Sequence, residues 1–289
     1  MEESTVASTG TTGARTVIQP VTPVASFVPQ PPKYTLEDII LPKATLDEIM
    51  DALAVRDQSA LVFDVWGLRE THRHSRKVGI NLYGPPGTGK TMAAHAIAAH
   101  LGKPLLIISY ADIESKYIGD TPKNLTTAFQ VATDTDSILF FDEADAILSR
   151  RLTNMNNATD TSVNQTRSVM LTLLNDYQGV IIFATNYISN YDPAFMRRIL
   201  AHIRFSLPDE EGRRRLLRKL VPTALPTNLC VDELAQMSEG LSGSDISNAI
   251  LAAAFRGAQT REKFVEHRYV AEALRAIRDS LAANRASPR

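Results

Sequence analysis

The sequence predicts an α/β fold in which a parallel sheet lies between two layers of helices and a small all-α domain follows. Apolar, strand-sized runs alternate with helical stretches over the first two thirds of the chain. After Pro208 these runs stop, and only helix patterns separated by Pro and Gly remain. We therefore expect a large α/β domain over residues 34–207 and a small helical domain over residues 208–284.

The strand-like runs are largely apolar and are bounded by turn signals, which is typical of strands buried on both faces of a parallel sheet. The runs read VGINLY (78–83), PLLIIS (104–109), SILFF (137–141), VIIFA (180–184) and HIRFSL (202–207). Between the first two, KTMAAHAIAAHLG is apolar nearly all round, as expected of a helix packed against the sheet. We expect His95 and His100 on this helix to be core or boundary residues and not metal ligands.

The composition indicates an ordinary globular protein. The 289 residues carry a formal net charge of −1, which gives no overall positive field for a nucleic-acid backbone and disfavours nucleic acid as the main partner. No apolar run is long enough to cross a bilayer, and no secretory signal is visible. We expect a soluble cytoplasmic protein with no membrane partner. The single cysteine, Cys230, is expected to be a small buried hydrophobe.

The two ends of the chain have the composition of disordered segments. Residues 1–33 are dominated by Ser, Thr, Pro, Gly and Val, so they cannot bury enough surface to offset the entropy of ordering. We expect a disordered tail there and a short one over residues 285–289. The alternative for the first tail is a recognition segment around SFVPQPPKY.

The strongest local motif is GPPGTGKT, which directly follows a predicted strand and opens a predicted helix. Its glycines let backbone N–H groups approach phosphate oxygens, and the helix N-terminus favours negative charge. Lys90 is expected to reach the β- and γ-phosphates of ATP, and the Thr91 hydroxyl to ligate Mg²⁺. The alternative is a glycine-rich turn that matches by chance. The nucleotide-binding residues predicted here are Gly84, Pro85, Pro86, Gly87, Thr88, Gly89, Lys90, Thr91 and Met92.

Two carboxylates close the apolar run in ILFFDEAD. A buried strand delivers Asp142 and Glu143 at its carboxyl end, where ligands bind in open α/β sheets. Asp142 is expected to hold Mg²⁺, and Glu143 to polarise the water that attacks the γ-phosphate. Together with the glycine-rich loop, this pair predicts the three-layer core of a P-loop NTPase.

From about Tyr34 to Ser280 the chain resembles the AAA+ ATPases, and in particular the AAA clade. The resemblance implies a sensor residue, Asn186 in FATN, that helps to orient the attacking water. It implies arginine fingers, Arg197 and Arg198 in DPAFMRRI, that reach the neighbouring subunit's site. It also implies that Gly243 and Ser244 in GLSGSDI approach the nucleotide from the lid.

The letters DEAD are shared with a helicase superfamily, but those helicases carry two sheet domains and further motifs that are absent here. In the family resembled, the stretch SKYIGDTPKN implies a loop that lines the central pore of a hexamer and grips a polypeptide. Tyr117 and Ile118 would supply the apolar grip, Gly119 the bend and Lys116 a rim charge. The alternative is that Tyr117 anchors a helix end in the core.

Two segments depart from that family's pattern or allow a plainer interpretation. LEDIILP stands where many members have Asp-Ile-Gly-Gly beside the adenine. Ile39 and Ile40 are therefore expected to contact the base because of their position alone, and not because they match the motif. The basic run GRRRLLRK is expected to be a solvated helix face that pairs with Glu210 and Glu211, and not a site for acidic partners.

The leading functional hypothesis is an ATP-driven ring, a homo-oligomer and by resemblance a hexamer, that unfolds, disassembles or activates a protein target. Two other classes stay open. A nucleic-acid-associated loader would use the same ATPase core, and a nucleotide-gated scaffold would barely hydrolyse ATP. The cofactor expected is Mg²⁺, with ATP as the nucleotide.

Overall fold

A computed structural model describes residues 27–71, 78–113, 120–148, 158–186, 191–261 and 263–286. Over these residues the chain forms a five-stranded sheet in which every pair of neighbours is parallel. The strands are β1 (Val78–Tyr83), β2 (Leu105–Ile108), β3 (Ile138–Phe141), β4 (Val180–Thr185) and β5 (Ala201–Arg204), in the spatial order β2-β3-β4-β1-β5. The predicted parallel α/β fold is confirmed.

Helices cover both faces of the sheet. They are α1 (Lys43–Asp57), α2 (Lys90–His100), α3 (Tyr110–Ile113), α4 (Asp120–Asp134), α5 (Asp145–Leu148), α6 (Ala158–Asp176) and α7 (Pro193–Met196), with a π-helical turn at Leu61–Val65 and a 3₁₀ turn at Leu68–Glu70. Side chains alternate along β1 and β4, so Ile80 and Ile182 pack against α1 and α2, whereas Ile181 and Phe183 pack against α4 and α6. The two apolar layers fix the strand ends that carry the site.

Helix α2 lies within the core, as its composition predicts. Its N-cap is Gly89, and most of its first nine residues are buried against the sheet. His95 is 3% exposed; its Nδ1 accepts a hydrogen bond from the Lys33 backbone N–H at 3.3 Å, and Tyr34 packs edge-on against its ring. Burial lowers the pKa of His95, which favours the neutral acceptor form. His95 is therefore a core histidine, and His100 is exposed.

The segment before residue 34 needs a correction. Residues 27–33 were expected to belong to the disordered tail, but Gln30 pairs with Leu105 in an antiparallel bridge of two backbone hydrogen bonds, at 2.8 and 2.9 Å. Phe27 also packs against the apolar layer that contains α4 and α6. The strand edge at β2 supplies unpaired backbone groups, which a Pro-rich segment can satisfy in an extended conformation.

The region after Pro208 is all-helical, as predicted. It comprises α8 (Glu210–Leu220), α9 (Val231–Met237), α10 (Gly243–Gln259) and α11 (His267–Ala286). These helices bury a core of their own, which includes Leu217, Leu234 and Leu274. Helix α11 continues to residue 286, two residues beyond the expected boundary, so residues 285 and 286 do not belong to a disordered end.

Two expectations about single residues in this region are corrected or refined. Cys230 is exposed and is the N-cap of α9, so it is not a buried hydrophobe. Arg214 pairs with Glu210 and Glu211, as expected of a solvated helix face. Arg213 instead is 7% exposed and donates to the backbone carbonyls of residues 235 and 208, which ties α8 to α9.

None of the helices among the described residues is long and apolar enough to cross a membrane.

Candidate nucleotide-binding and catalytic site

A cleft of about 680 Å³ opens at the carboxyl ends of β1, β3 and β4, between the sheet and the helical domain. This volume is in the range of small-molecule sites. Its wall is formed by the predicted loop from Pro86 to Met92, by Asp142 and Glu143, and by Asn186. The opposite wall comes from residues 38–43, α8 and the start of α10. The sequence-predicted loop and carboxylates thus meet in one cleft.

Two glycines in the loop are required by close contacts. Gly84 has φ 145°, and a Cβ there would lie 1.9 Å from the Phe205 carbonyl oxygen, so only glycine lets the loop leave β1 beside β5. Gly87 has φ 74°, and a Cβ there would lie 2.4 Å from Ser242 Oγ. The loop is therefore pressed between the sheet and the helical domain, with its middle facing the cleft.

Lys90 is the buried cation of the site. Its side chain is on the first turn of α2 and 8% exposed, and Nζ donates to the carbonyls of Gly84 at 2.8 Å and Pro85 at 2.9 Å. A third hydrogen bond joins Nζ to Asn186 Oδ1 at 2.9 Å. Burial lowers the pKa of Lys90, while Asp142 acts in the opposite direction. Gly84 and Pro85 thus orient the lysine and do not themselves line the cleft.

The two residues predicted to bind Mg²⁺ are in direct contact. Thr91 Oγ1 donates to Asp142 Oδ2 at 3.0 Å, although 51 residues separate them. Both side chains present oxygen to the cleft, which is the ligand type that Mg²⁺ requires together with water and phosphate. The residues present therefore fit a magnesium ion.

Glu143 lies beside this pair in a strained backbone conformation. Its φ is 52°, which is uncommon for a non-glycine residue, and its backbone N–H donates to Asp142 Oδ1 at 3.0 Å. The following residue, Ala144, donates to the Ala184 carbonyl at 2.9 Å and holds the turn against β4. The Glu143 side chain is exposed in the cleft, where a carboxylate can accept a proton from water.

The helical domain touches the loop at the positions predicted from GLSGSDI. The Ser244 backbone N–H donates to the Gly87 carbonyl at 3.2 Å, and a Cβ built at Gly243 would lie 3.5 Å from the same oxygen. Ser242 caps α10 in a reciprocal pair with Asp245, which fixes this helix end over the loop. Gly243 and Ser244 both line the cleft.

Sequence reasoning missed two basic residues of α8. Arg215 and Lys219 are four residues apart, share a helix face and line the cleft. Lys219 Nζ donates to the Glu37 carbonyl at 2.8 Å and to Asp38 Oδ1 at 3.2 Å, which links α8 to the segment that carries Ile39 and Ile40. The i,i+4 spacing within GRRRLLRK was the available signal. Ile39 and Ile40 line the cleft, as their position predicts.

The two predicted arginine fingers do not reach the cleft of their own chain. Arg197 and Arg198 follow α7 and are exposed. Arg198 donates through Nε to Asn175 Oδ1 at 3.0 Å and through a terminal nitrogen to the Ala194 carbonyl at 2.6 Å. The predicted pore residues, Lys116 to Gly119, lie outside the described residues.

This arrangement of a buried lysine, an oxygen pair and a free carboxylate around a glycine-rich loop defines the class of P-loop nucleoside triphosphatases. The family model "ATPase family associated with various cellular activities (AAA)" matches residues 80–207. Residues 80–207 therefore belong to this AAA family of ATPases, as the resemblance indicated.

Several curated relatives share this region. The chain is 36% identical to spastin of Drosophila willistoni over 183 residues, which are 58% of the chain and 22% of the relative. It is 32% identical to the 26S proteasome subunit RPT4 of Saccharomyces cerevisiae over 245 residues, 75% of the chain and 56% of the relative. It is 35% identical to the proteasome-activating nucleotidase of Methanopyrus kandleri over 176 residues, which are 58% of the chain and 40% of the relative. The chain spans less than two thirds of the length of each.

Proposed function

We propose that this protein hydrolyses ATP and uses the energy to remodel a protein target, as an oligomeric ring with a central pore. The observation that carries the first half is the contact set at the cleft, in which Lys90 bonds Asn186 and Thr91 bonds Asp142. The second half is supported by the relatives, two of which are named for the proteasome.

In the proposed reaction each residue acts on a stated atom of ATP or water. The Lys90 ammonium exchanges at least one of its three hydrogen bonds, to Gly84, Pro85 and Asn186, for the β- and γ-phosphate oxygens, supported by loop N–H groups. The Glu143 carboxylate takes a proton from the attacking water, and the Asn186 amide orients that water. Mg²⁺ held by Thr91 and Asp142 would neutralise phosphate charge when bound.

Arginine fingers complete the site from a second subunit. Arg197 and Arg198 are exposed and are not among the residues that line their own cleft, so a contribution to catalysis requires another copy of the chain. A guanidinium supplied in this way stabilises charge that develops on the transferred phosphoryl group. The site is then incomplete in an isolated protomer, and turnover depends on assembly into a ring, which we propose to be a hexamer.

A mixing experiment tests this arrangement. Lys90→Ala subunits bind ATP weakly but can donate fingers, whereas Arg197→Ala/Arg198→Ala subunits bind ATP normally but donate none. When the two inactive proteins are mixed and allowed to co-assemble, they should regain part of the wild-type ATPase rate. The reason is that an ATP-binding subunit of one kind then lies next to a finger-donating subunit of the other kind, and together they form a complete site. Each protein alone is the control. Co-assembly without any rescue would contradict fingers that act between subunits.

A second experiment separates a protein remodeller from a nucleic-acid loader. Glu143→Gln protein with ATP is titrated with fluorescently labelled unfolded casein and, in parallel, with single-stranded DNA. If casein binds and this binding weakens when Tyr117→Ala is introduced into the Glu143→Gln protein, the result supports a pore that grips a polypeptide. DNA binding without casein binding would favour the loader, and wild-type turnover near zero at full assembly would favour a nucleotide-gated scaffold.

A further inference from the structure

A buried polar network, unexpected in an apolar layer, lies below the site. Asn81 is the fourth residue of β1 and is fully buried on the face that packs against Phe183 and Phe195. An unpaired amide there would be costly, so its hydrogen bonds matter. The Tyr191 hydroxyl donates to Asn81 Oδ1 at 3.3 Å, and Asn81 Nδ2 contacts His202 Nδ1 at 3.4 Å across the β1–β5 pair.

The tautomer of His202 follows from its second contact. Its Nε2 lies 3.2 Å from the Met196 carbonyl oxygen, which can only accept, so Nε2 carries the proton. Nδ1 of the neutral ring then accepts from Asn81, and Asn81 Oδ1 accepts from Tyr191. One orientation of every group satisfies the chain of bonds. Burial raises the pKa of Tyr191, which keeps its hydroxyl protonated as the first donor.

The two ends of this network are functional segments. Tyr191 also shares a side-chain hydrogen bond with Thr185, the last residue of β4 and the neighbour of Asn186. At the other end, the accepting carbonyl of Met196 belongs to the peptide group that joins it to Arg197. The backbone at Arg197 is therefore connected through side chains to the residue beside the proposed water-orienting amide.

We propose that Tyr191, Asn81 and His202, here called the Asn81 network, position the Arg197 backbone relative to the Asn186 end of β4 and thereby set the efficiency of the finger. This rests on the proposed function of Arg197. Within the turn, the Arg197 backbone N–H donates to the Pro193 carbonyl at 3.2 Å, and the Arg198 side chain bonds Asn175 and the Ala194 carbonyl. At its margins, Asp192 caps α7 through the Ala194 N–H, and the Leu200 N–H donates to the Gly79 carbonyl. To these the bond from His202 adds a tie between β5 and the Met196 carbonyl, which lies directly before Arg197.

The network residues are positioning residues, so the test reads the assembled enzyme's kinetics and not only its stability. Tyr191→Phe removes one hydroxyl and keeps the ring. The matched control is Tyr177→Phe, because Tyr177 is buried in the same layer and donates one hydrogen bond, to the Ser137 carbonyl at 3.2 Å, outside the network. We expect Tyr191→Phe to lower kcat about fivefold with KM for ATP within about twofold of wild type. Tyr177→Phe should leave both unchanged.

His202 provides a graded second series. His202→Phe removes both bonds of the ring and should lower kcat further than Tyr191→Phe. His202→Gln keeps an amide donor for the Met196 carbonyl and should recover part of the loss. If Tyr177→Phe lowered kcat as much as Tyr191→Phe, or if His202→Gln were no better than His202→Phe, the positioning role would be overturned.

A double-mutant cycle distinguishes this inference from the proposed function. In an Arg197→Ala background, Tyr191→Phe should cost nothing more, because the group that the network positions is gone. If the double mutant instead lost kcat by the product of the two single-mutant factors, the network would not act through Arg197, although the assignment of Arg197 as a finger would stand. If Arg197→Ala alone left kcat unchanged, the finger assignment would fail, and this inference with it.

Discussion

Gly87→Ala tests whether the loop and the helical domain are packed as one unit. At φ 74° an alanine in the left-handed region destabilises the folded state by about 1–2 kcal/mol. Because alanine also lowers the entropy of the unfolded chain, about 0.4–1 kcal/mol of this loss is offset. The new Cβ would also lie 2.4 Å from Ser242 Oγ and 3.0 Å from Ser244 Cβ. Ser242 must rotate away, and its rotation breaks the cap with Asp245, worth about 1 kcal/mol.

Gly89→Ala is the matched control for this variant. Gly89 has φ 96°, but a Cβ there meets nothing within 4 Å, so it suffers the conformational strain without the contact. We therefore expect the free energy of unfolding to fall by about 2 kcal/mol for Gly87→Ala and about 1 kcal/mol for Gly89→Ala. Denaturant unfolding without nucleotide measures both, and the absence of ATP removes any effect on phosphate contacts.

A third variant identifies the cause of the difference. Ser242→Ala alone should cost about 1 kcal/mol through the lost cap, but much less in the Gly87→Ala background, where that cap is already broken. Equal destabilisation by Gly87→Ala and Gly89→Ala, or strict additivity with Ser242→Ala, would refute the packing of the loop against α10.

The remaining predictions concern the cleft and the helical core. Lys90→Ala should weaken ATP binding at least about tenfold in calorimetry, because the phosphates lose their charged donor. Glu143→Gln should keep that affinity and lower kcat about 10²–10⁴-fold in a phosphate-release assay. Lys219→Met should speed the release of a fluorescent nucleotide in stopped flow by no more than about fivefold, since Lys219 and its partner Asp38 are both half-exposed and their attraction is screened by water. Leu217→Ala should lower the free energy of unfolding by about 2–5 kcal/mol, since Leu217 is fully buried.

The sequence predicts well the features that depend on residues close together along the chain. The glycine-rich loop and its lysine are neighbours along the chain, and their strand-loop-helix context is local, so the pattern indicates their geometry. The same holds for Asp142 and Glu143, which follow an apolar strand directly. The change to an all-helical region after Pro208 is equally local, because strand patterns end there.

The features that the sequence does not reveal depend on distant contacts. The bond between Lys219 and Asp38 joins residues 181 apart, and the contacts of Asn81 with Tyr191 and His202 span 110 and 121 residues. A lone asparagine inside an apolar strand gives no sign of its partners until β1 is paired with β5. Gln30 was missed for a similar reason, since only the edge of β2 gives a Pro-rich segment something to pair with.

The contacts around the cleft have unequal strengths, and this inequality indicates how the cleft opens. On one side, α10 is joined to the loop through the Gly87 carbonyl and the capped helix end, in a closely packed interface. On the other side, Lys219 and Asp38 are both half-exposed, so water screens their attraction. Thr35, more than Lys219, holds the pKa of the Asp38 carboxyl below its usual range. The α8 side of the cleft can therefore separate from residues 37–38 at little cost while the α10 contact persists, and nucleotide exchange is expected to proceed through that side.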